Sequence, residues 1–167
     1  IPENISNITI MNSSAIVIGA GIVGLATAHA LAIRGYQVTV MERNERQTGA
    51  SVRNFGMIWP VGQPAGELFE RAMLSRSIWK KLCGEAGIWH SETGSLHLAY
   101  HSDELKVMEE YAELGRSDGK ASVISAAKTL DLSEAVRPDG LKGALWSETE
   151  MIVDPRVAIL RISEYLA

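Results

Sequence analysis

The sequence predicts an α/β fold that opens on a parallel βαβ unit, and three observations carry that prediction. Ala15 to Ile18 is a short run of apolar residues, mostly β-branched, of the kind buried in a parallel strand. A glycine-spaced turn, Gly19-Ala20-Gly21-Ile22-Val23-Gly24, follows it and leads into Leu25 to Arg34. Those ten residues are good helix formers, and Gly35 stands where a left-handed residue ends a helix. Gln37 to Glu42 then alternates and is β-branched, which reads as a second strand. A strand, helix and strand in this order form a right-handed crossover.

Ala15 to Ile33 carries no Asp, Glu, Lys or Arg and approaches the ~20 residues that cross a bilayer. Its glycines fall early, and its Ile/Val-rich first half gives way to an Ala/Leu-rich second half. A buried strand followed by a buried helix accounts for that better than one membrane helix, so no membrane span is expected.

The 167 residues are 46% hydrophobic and 22% charged, enough to bury a core and too apolar for a disordered chain. A net charge of -4 argues against a nucleic-acid partner, which needs a basic face. Cys83 is the only cysteine, so no disulfide closes within the chain. That fits a reducing, cytoplasmic setting. Sequons at Asn4, Asn7 and Asn12 gain no meaning without a secretory signal, and none is visible. Ile1 to Ile10 lack periodicity and read as a disordered or upstream leader, with Met11 just before the first strand.

Residues 11–66 are expected to form the first part of the dinucleotide-binding core. Within them Arg43 to Gly66 is a long loop rich in Gly, Asn, Pro and Gln, a composition of functional loops. Residues 67–150 read as a mixed helix and strand region. Glu67 to Gly84 is an amphipathic helix with Leu68, Phe69, Ala72, Met73, Ile78, Trp79, Leu82 and Cys83 on its apolar side. Ser95 to Tyr100 alternates as a strand, and Ser102 is placed to cap a helix running to about Leu114. Short strands are expected at Ser122 to Ile124 and Lys142 to Trp146, with a helix-prone stretch from Ser125 to Ala135 between them. Residues 151–167 begin a further helix at Asp154-Pro155, a good cap followed by proline in the first helical position. That helix meets the end of the chain at Ala167 without a stop signal, so further strands are expected beyond it.

The glycine turn carries the chemistry. Gly19 permits the sharp exit from the strand, Gly21 lets a pyrophosphate approach the backbone, and Gly24 lets helix and strand pack closely. Amides at the helix start face an anion there with the helix dipole behind them. Glu42 follows Gly24 by about 18 residues, near the spacing at which an acidic side chain holds ribose hydroxyls. A carboxylate there disfavours a 2′-phosphate, hence NADP. The turn alone does not separate FAD from NAD.

The segment after Glu42-Arg43 resolves that choice through resemblance. Val17 to Gly24, Glu42-Arg43, Gly49-Ala50-Ser51, Asn54 and Gly56 together resemble the D-amino-acid oxidase-like flavoproteins, which include glycine and sarcosine oxidases. The resemblance implies FAD as cofactor and a Rossmann-like FAD-binding core truncated relative to longer members, with part of a mixed α+β substrate region. It implies that Gly19, Ala20, Gly21, Ile22, Val23 and Gly24 lie at the pyrophosphate and that Glu42 meets the adenosine ribose. Arg43 is placed on the adenosine side. The loop Ser51, Arg53, Asn54, Phe55 and Gly56 is placed along the pyrophosphate and flavin. For Arg53, phosphate neutralisation and a solvated loop arginine stand as equal readings. Asp154-Pro155-Arg156 resembles the family's return to its FAD domain after a substrate-domain excursion. The string Gly49 to Pro60 also resembles a subgroup associated with aminophosphonate metabolism.

The implied activity is oxidation of an amine or amino acid by hydride transfer to flavin, with oxygen or another electron acceptor. Catalytic residues are not identifiable in this sequence, and the chain alone is expected to hold FAD weakly. An NAD-binding dehydrogenase and a non-catalytic binding module are the alternatives. His90, His97 and His101 lack metal-ligand spacing, so no metal site is expected. His29 reads as a packed or solvent-facing helix residue, Cys83 as a buried thiol, and Trp59 as core with flavin proximity as the second reading.

Overall fold

The structure, a computed structural model, describes residues 13–115 and 119–167. The expected leader Ile1 to Ile10 and the sequons at Asn4, Asn7 and Asn12 lie outside the described residues. In chain order the elements are β1 (Ser14–Ile18), α1 (Ile22–Ala32), β2 (Gln37–Met41), β3 (Met57–Ile58), α2 (Glu67–Glu85), β4 (His90–Ser91), β5 (Ser95–Ala99), α3 (Ser102–Glu113), β6 (Ala121–Ser125), α4 (Ala126–Leu132), β7 (Gly143–Ser147), β8 (Met151–Val153) and α5 (Pro155–Leu166). Short 3-10 turns form at Ala50–Val52 and Pro60–Gly62. The mixed α/β class matches the expectation. Two compact units divide the chain: Ile1–Asn54 with Pro155–Ala167, and Phe55–Asp154.

In the first unit β1 and β2 pair in parallel, with Ala15 opposite Val38 and Val17 opposite Val40. The helix α1 starts at Ile22, three residues ahead of the expected Leu25. Gly19 completes the turn with φ +98°, so the chain is free to coil directly after the extended Gly21. At the other end Gly35 is left-handed (φ +85°). Its N–H donates to the Ala32 carbonyl and that of Tyr36 to the Leu31 carbonyl, the paired bonds of a Schellman stop. Leu25 and Ala28 are buried. The last helix, α5, packs on α1 and on the turn Ala50–Val52, burying Ala158, Ile159 and Ile162. Gln47 Nε2 donates to Ser163 Oγ at 3.3 Å and joins the same two segments.

Strand alternation sends Ala15 and Val17 to one side of this sheet and Ile16 and Ile18 to the other, where Ile16 is 66% and Ile18 87% exposed. Parallel sheets are ordinarily covered on both faces. Here the described residues leave one apolar face of a two-stranded sheet in water.

The second unit holds two antiparallel sheets, β3-β8-β4 and β5-β7-β6. In the larger, His97 on β5 and Val123 on β6 both lie opposite Leu145 of the central β7. Leu145, Val61 and Ala121 are buried, with Met108, Tyr111, Ala112 and Val123 packed against them. Strands β3, β4 and β8 escape sequence reading because two or three residues are too few to show a period.

Three local expectations need correction. On α2 the apolar stripe is real at Phe69, Leu82 and Cys83, but Leu68 and Ile78 are about half exposed. Helical spacing places residues on a side without saying how much of that side is covered. On α3 the cap is His101 and not Ser102. The Glu104 carboxylate accepts from the amides of Tyr100 and His101, and this reciprocal capping box moves the helix boundary back by one residue. Trp59 is not core: it is 44% exposed and stacks on His97, ring centroids 5.8 Å apart and planes 26° from parallel.

Arg76 ties α2 to the far side of the unit. It is largely buried, donates from Nε to the Thr149 carbonyl, and pairs through Nη2 with Glu92 at 2.8 Å. Lys80 reaches the same carboxylate at 2.9 Å.

The most demanding feature is Glu150, 2% exposed. Buried carboxylates persist only when hydrogen bonded. Its Oε1 accepts from the Val61 amide at 3.0 Å and from Thr149 Oγ1 at 2.8 Å. Its Oε2 accepts from Ser95 Oγ at 3.1 Å. Ser95 Oγ is in turn 3.2 Å from His97 Nε2. Burial pulls the His97 pKa below its ordinary value of 6.5, and the Glu150 charge opposes this more weakly.

A pH dependence follows. As pH falls through about 6.5 the unfolded chain takes up a proton at His97 before the folded one does, so stability drops, and the drop ends below the folded pKa. Urea melts from about pH 7.5 to 5 should show a steeper acid loss in the parent than in His97→Gln. Parallel curves would show that His97 does not contribute.

Candidate functional site

Strand β1 delivers the glycine turn to the start of α1, and strand β2 delivers Glu42 beside it. The Gly19 amide donates to the Met41 carbonyl at 2.7 Å, which locks the turn onto the end of β2. The Ala20 amide donates to Glu42 Oε2 at 2.9 Å and the Asn44 amide to Oε1 at 3.2 Å. These amides, Ala20 first, hold the Glu42 pKa below the ordinary carboxylate value, and the positive charge of Arg43 adds to them. The lowered pKa favours the ionised side chain. Each oxygen still has a lone pair beyond the one its amide uses, so both remain able to accept from hydroxyl groups.

The start of α1 is built to attract an anion. Its cap is a glycine with no side-chain bond, and no acidic residue stands in the first turn. The first-turn amides have no intrahelical acceptor, and the positive end of the dipole meets no acidic residue within that turn. A hydroxyl reaches this point: Ser51 Oγ accepts from the Ile22 amide at 3.0 Å. A Cβ on Gly21 would lie 3.0 Å from that oxygen, so the bare glycine keeps the approach open.

Between these features lies a cleft of about 290 Å³, lined by Gly19, Gly21, Glu42, Arg43, Gly49 and Ser51 among others. That is the low end for ligand pockets, enough to enclose one portion of a dinucleotide. Of the residues expected from sequence, the structure brings Gly19, Gly21, Glu42, Arg43 and Ser51 together here. Ala20 is buried behind them and contributes its amide to Glu42. Val23 is 78% exposed on α1, and Gly24 is occupied with packing, its missing Cβ leaving room for the Gly19 carbonyl.

Arg53 and Asn54 do not line this cleft. Asn54 Nδ2 donates to the Ser51 carbonyl at 2.8 Å and to that of Ala50 at 3.3 Å, and so shapes the loop that carries Ser51. Phe55 and Gly56 belong to the second unit. Phe55 is exposed, and Gly56 is buried with φ +68°, its carbonyl accepting from the Val153 amide. Asn44, Gln47 and Thr48 line the cleft although sequence reading did not single them out. Their one signal was position, directly after the acidic end of β2.

Residues 14–166 match the family described as FAD dependent oxidoreductase. Glycerol 3-phosphate dehydrogenase of Caloramator mitchellensis is 26% identical over 156 residues, which cover 89% of this chain and 32% of that protein. Among solved structures, L-proline dehydrogenase from P. horikoshii superposes with a TM-score of 0.75 at 31% identity, covering 92% of this chain and 42% of its own. Glycine oxidase from Bacillus cereus ATCC 14579 gives a TM-score of 0.78 at 22% identity, covering 93% and 43%, a likeness of fold. The chain thus spans about a third to two fifths of the length of these proteins. No helix among the described residues is long and apolar enough to cross a membrane. The family's cofactor is FAD, which decides the question the glycine turn left open between flavin and nicotinamide. With almost every described residue inside the matched span, this chain belongs to the FAD dependent oxidoreductase family.

Proposed function

We propose that the first unit binds the adenosine diphosphate portion of FAD, and that the protein of which this chain forms part oxidises an amine or amino acid. The observation that carries the reading is the meeting of a helix start capped by a bare glycine, Ser51 and an ionised Glu42 around one cleft. The amides at the start of α1 take the pyrophosphate, and Ser51 Oγ gives an adjustable contact beside them. Glu42 takes the adenosine ribose hydroxyls, and Arg43 lies on the adenosine side. Arg53, Asn54, Phe55 and Gly56 continue toward the flavin, with Asn54 holding the Ser51 loop in shape.

Bound FAD supplies the capacity to accept a hydride from the carbon next to nitrogen. The substrate then leaves as an imine that hydrolyses, and oxygen or another acceptor takes the electrons. The second unit, Phe55–Asp154, leads into the substrate region. A second reading, oxidation of a C–O bond, is favoured by the glycerol 3-phosphate dehydrogenase relative.

The test begins with Glu42→Gln. Loss of charge-assisted hydrogen bonds worth about 1.5–3 kcal/mol should weaken FAD binding roughly 10- to 100-fold, read by quenching of flavin fluorescence. Unchanged affinity would remove Glu42 from the site. In the longer gene product, anaerobic bleaching of flavin by amino acids but not by glycerol 3-phosphate supports the amine reading. The reverse pattern supports the second. No bleaching by either class, with FAD retained, would leave a binding module.

A further inference from the structure

The second unit carries a chain of hydrogen bonds that the flavin cradle does not use. It starts at the buried Glu150, passes through Ser95 and ends at His97, whose ring stacks on Trp59. A serine hydroxyl has one proton, and Ser95 donates its proton to Glu150 Oε2. Toward His97 it must therefore accept, which puts the imidazole hydrogen on Nε2. A neutral imidazole has a single N–H, so Nδ1 is left as an acceptor. Burial favours that neutral ring.

Two further facts locate Nδ1. Among the described residues the His97 side chain is hydrogen bonded through Nε2 alone. No fully buried side-chain nitrogen or oxygen among the described residues lacks a partner. An unpartnered Nδ1 is therefore not fully buried. The half-exposed indole of Trp59 stacks on the ring, and on the Nε2 side Ser95 links it to a buried carboxylate that makes no ion pair with a lysine or arginine among the described residues. An acceptor nitrogen, an aromatic face and a nearby carboxylate together suit a cation that carries an N–H.

We propose that His97 Nδ1 and the Trp59 indole form a binding site on the second unit for a small protonated amine, with Glu150 and Ser95 holding His97 in the accepting tautomer. The amine donates an N–H to Nδ1 and sets its charge against the indole. Glu150 and Ser95 are positioning residues. The choice of an amine as occupant rests on the proposed function.

The experiment is nitrogen-15 NMR of the histidine-labelled chain at about pH 7.5, where the ring is neutral, with His97 assigned from its loss in His97→Gln. Ethylammonium is the probe and tetramethylammonium, equally charged but without an N–H, the control. The expected result is a single Nε2–H tautomer whose Nδ1 resonance moves with ethylammonium at least about tenfold more readily than with tetramethylammonium. Ser95→Ala, with its amide spectrum otherwise preserved, should mix the tautomers and weaken the ethylammonium response several-fold. Trp59→Leu should weaken it while leaving the tautomer intact. An Nδ1–H ring, equal responses to the two cations, or indifference to Ser95→Ala overturns the proposal. None of these outcomes bears on FAD affinity in Glu42→Gln, so the two readings fail separately.

Discussion

Gly24→Ala is expected to disrupt the first unit more than any other single methyl group added to the glycine turn. A Cβ there would stand inside the van der Waals shell of the Gly19 carbonyl oxygen and against Val17. The obstacle is backbone, and Gly19 is held by its bond to Met41, so it does not yield as a flexible side chain would. Relief requires α1 to lift from β1, which uncovers Leu25 and Ala28. Overpacking of this kind costs about 3 kcal/mol, on the order of 10 °C in melting temperature for a chain of this size. Because the lifted helix no longer aims its first amides at the cleft, FAD affinity should fall with it. Thermal melts by circular dichroism and a parallel FAD titration check this. Melting within a degree or so of the parent would show that the turn tolerates the methyl group.

Glu150→Ala should destabilise the second unit to a similar degree by the opposite route. It removes an acceptor and leaves the Val61 amide and the Thr149 and Ser95 hydroxyls searching for partners in a buried space. Each unsatisfied buried donor costs about 1–3 kcal/mol, though a hydroxyl can turn to another acceptor. Thr149 has one in Ser147 Oγ at 3.1 Å, and Ser95 has His97. The amide of Val61 has no such freedom. The net expectation is about 3 kcal/mol, with Glu150→Gln intermediate because its amide keeps one acceptor and turns an N–H₂ toward a donor. Denaturant melts of the three proteins should rank them in that order. Equal stability of parent and alanine variant would mean that water replaces the carboxylate at no cost.

Much of the first unit was legible because its signals are local. A strand of Ile and Val, a glycine turn and a helix stopped by Gly35 each declare themselves within a few residues. Glu42 was legible because the crossover length dictates where β2 must end. The second unit was less so. The two-residue strands β3 and β4 exist only through pairing with β8, some 60 to 95 residues away along the chain. The capping role of His101 was invisible because histidine is not a common cap, and it depends on Glu104 reaching back.

The sequence by itself determined the class of fold, the parallel βαβ unit, the placing of Gly19, Gly21, Gly24 and Glu42, and through resemblance the flavin family. Those properties follow from backbone sterics and short-range periodicity. Only the tertiary structure decided that Ser51 reaches the Ile22 amide, that Pro155–Ala167 packs with the first unit, and that Glu150, Ser95, His97 and Trp59 form one chain of contacts. The physical reason is separation. Ser51 stands 29 residues from its partner and Ser95 stands 55 from Glu150. Contacts at such distances depend on how whole elements pack, and no local pattern of residues records that.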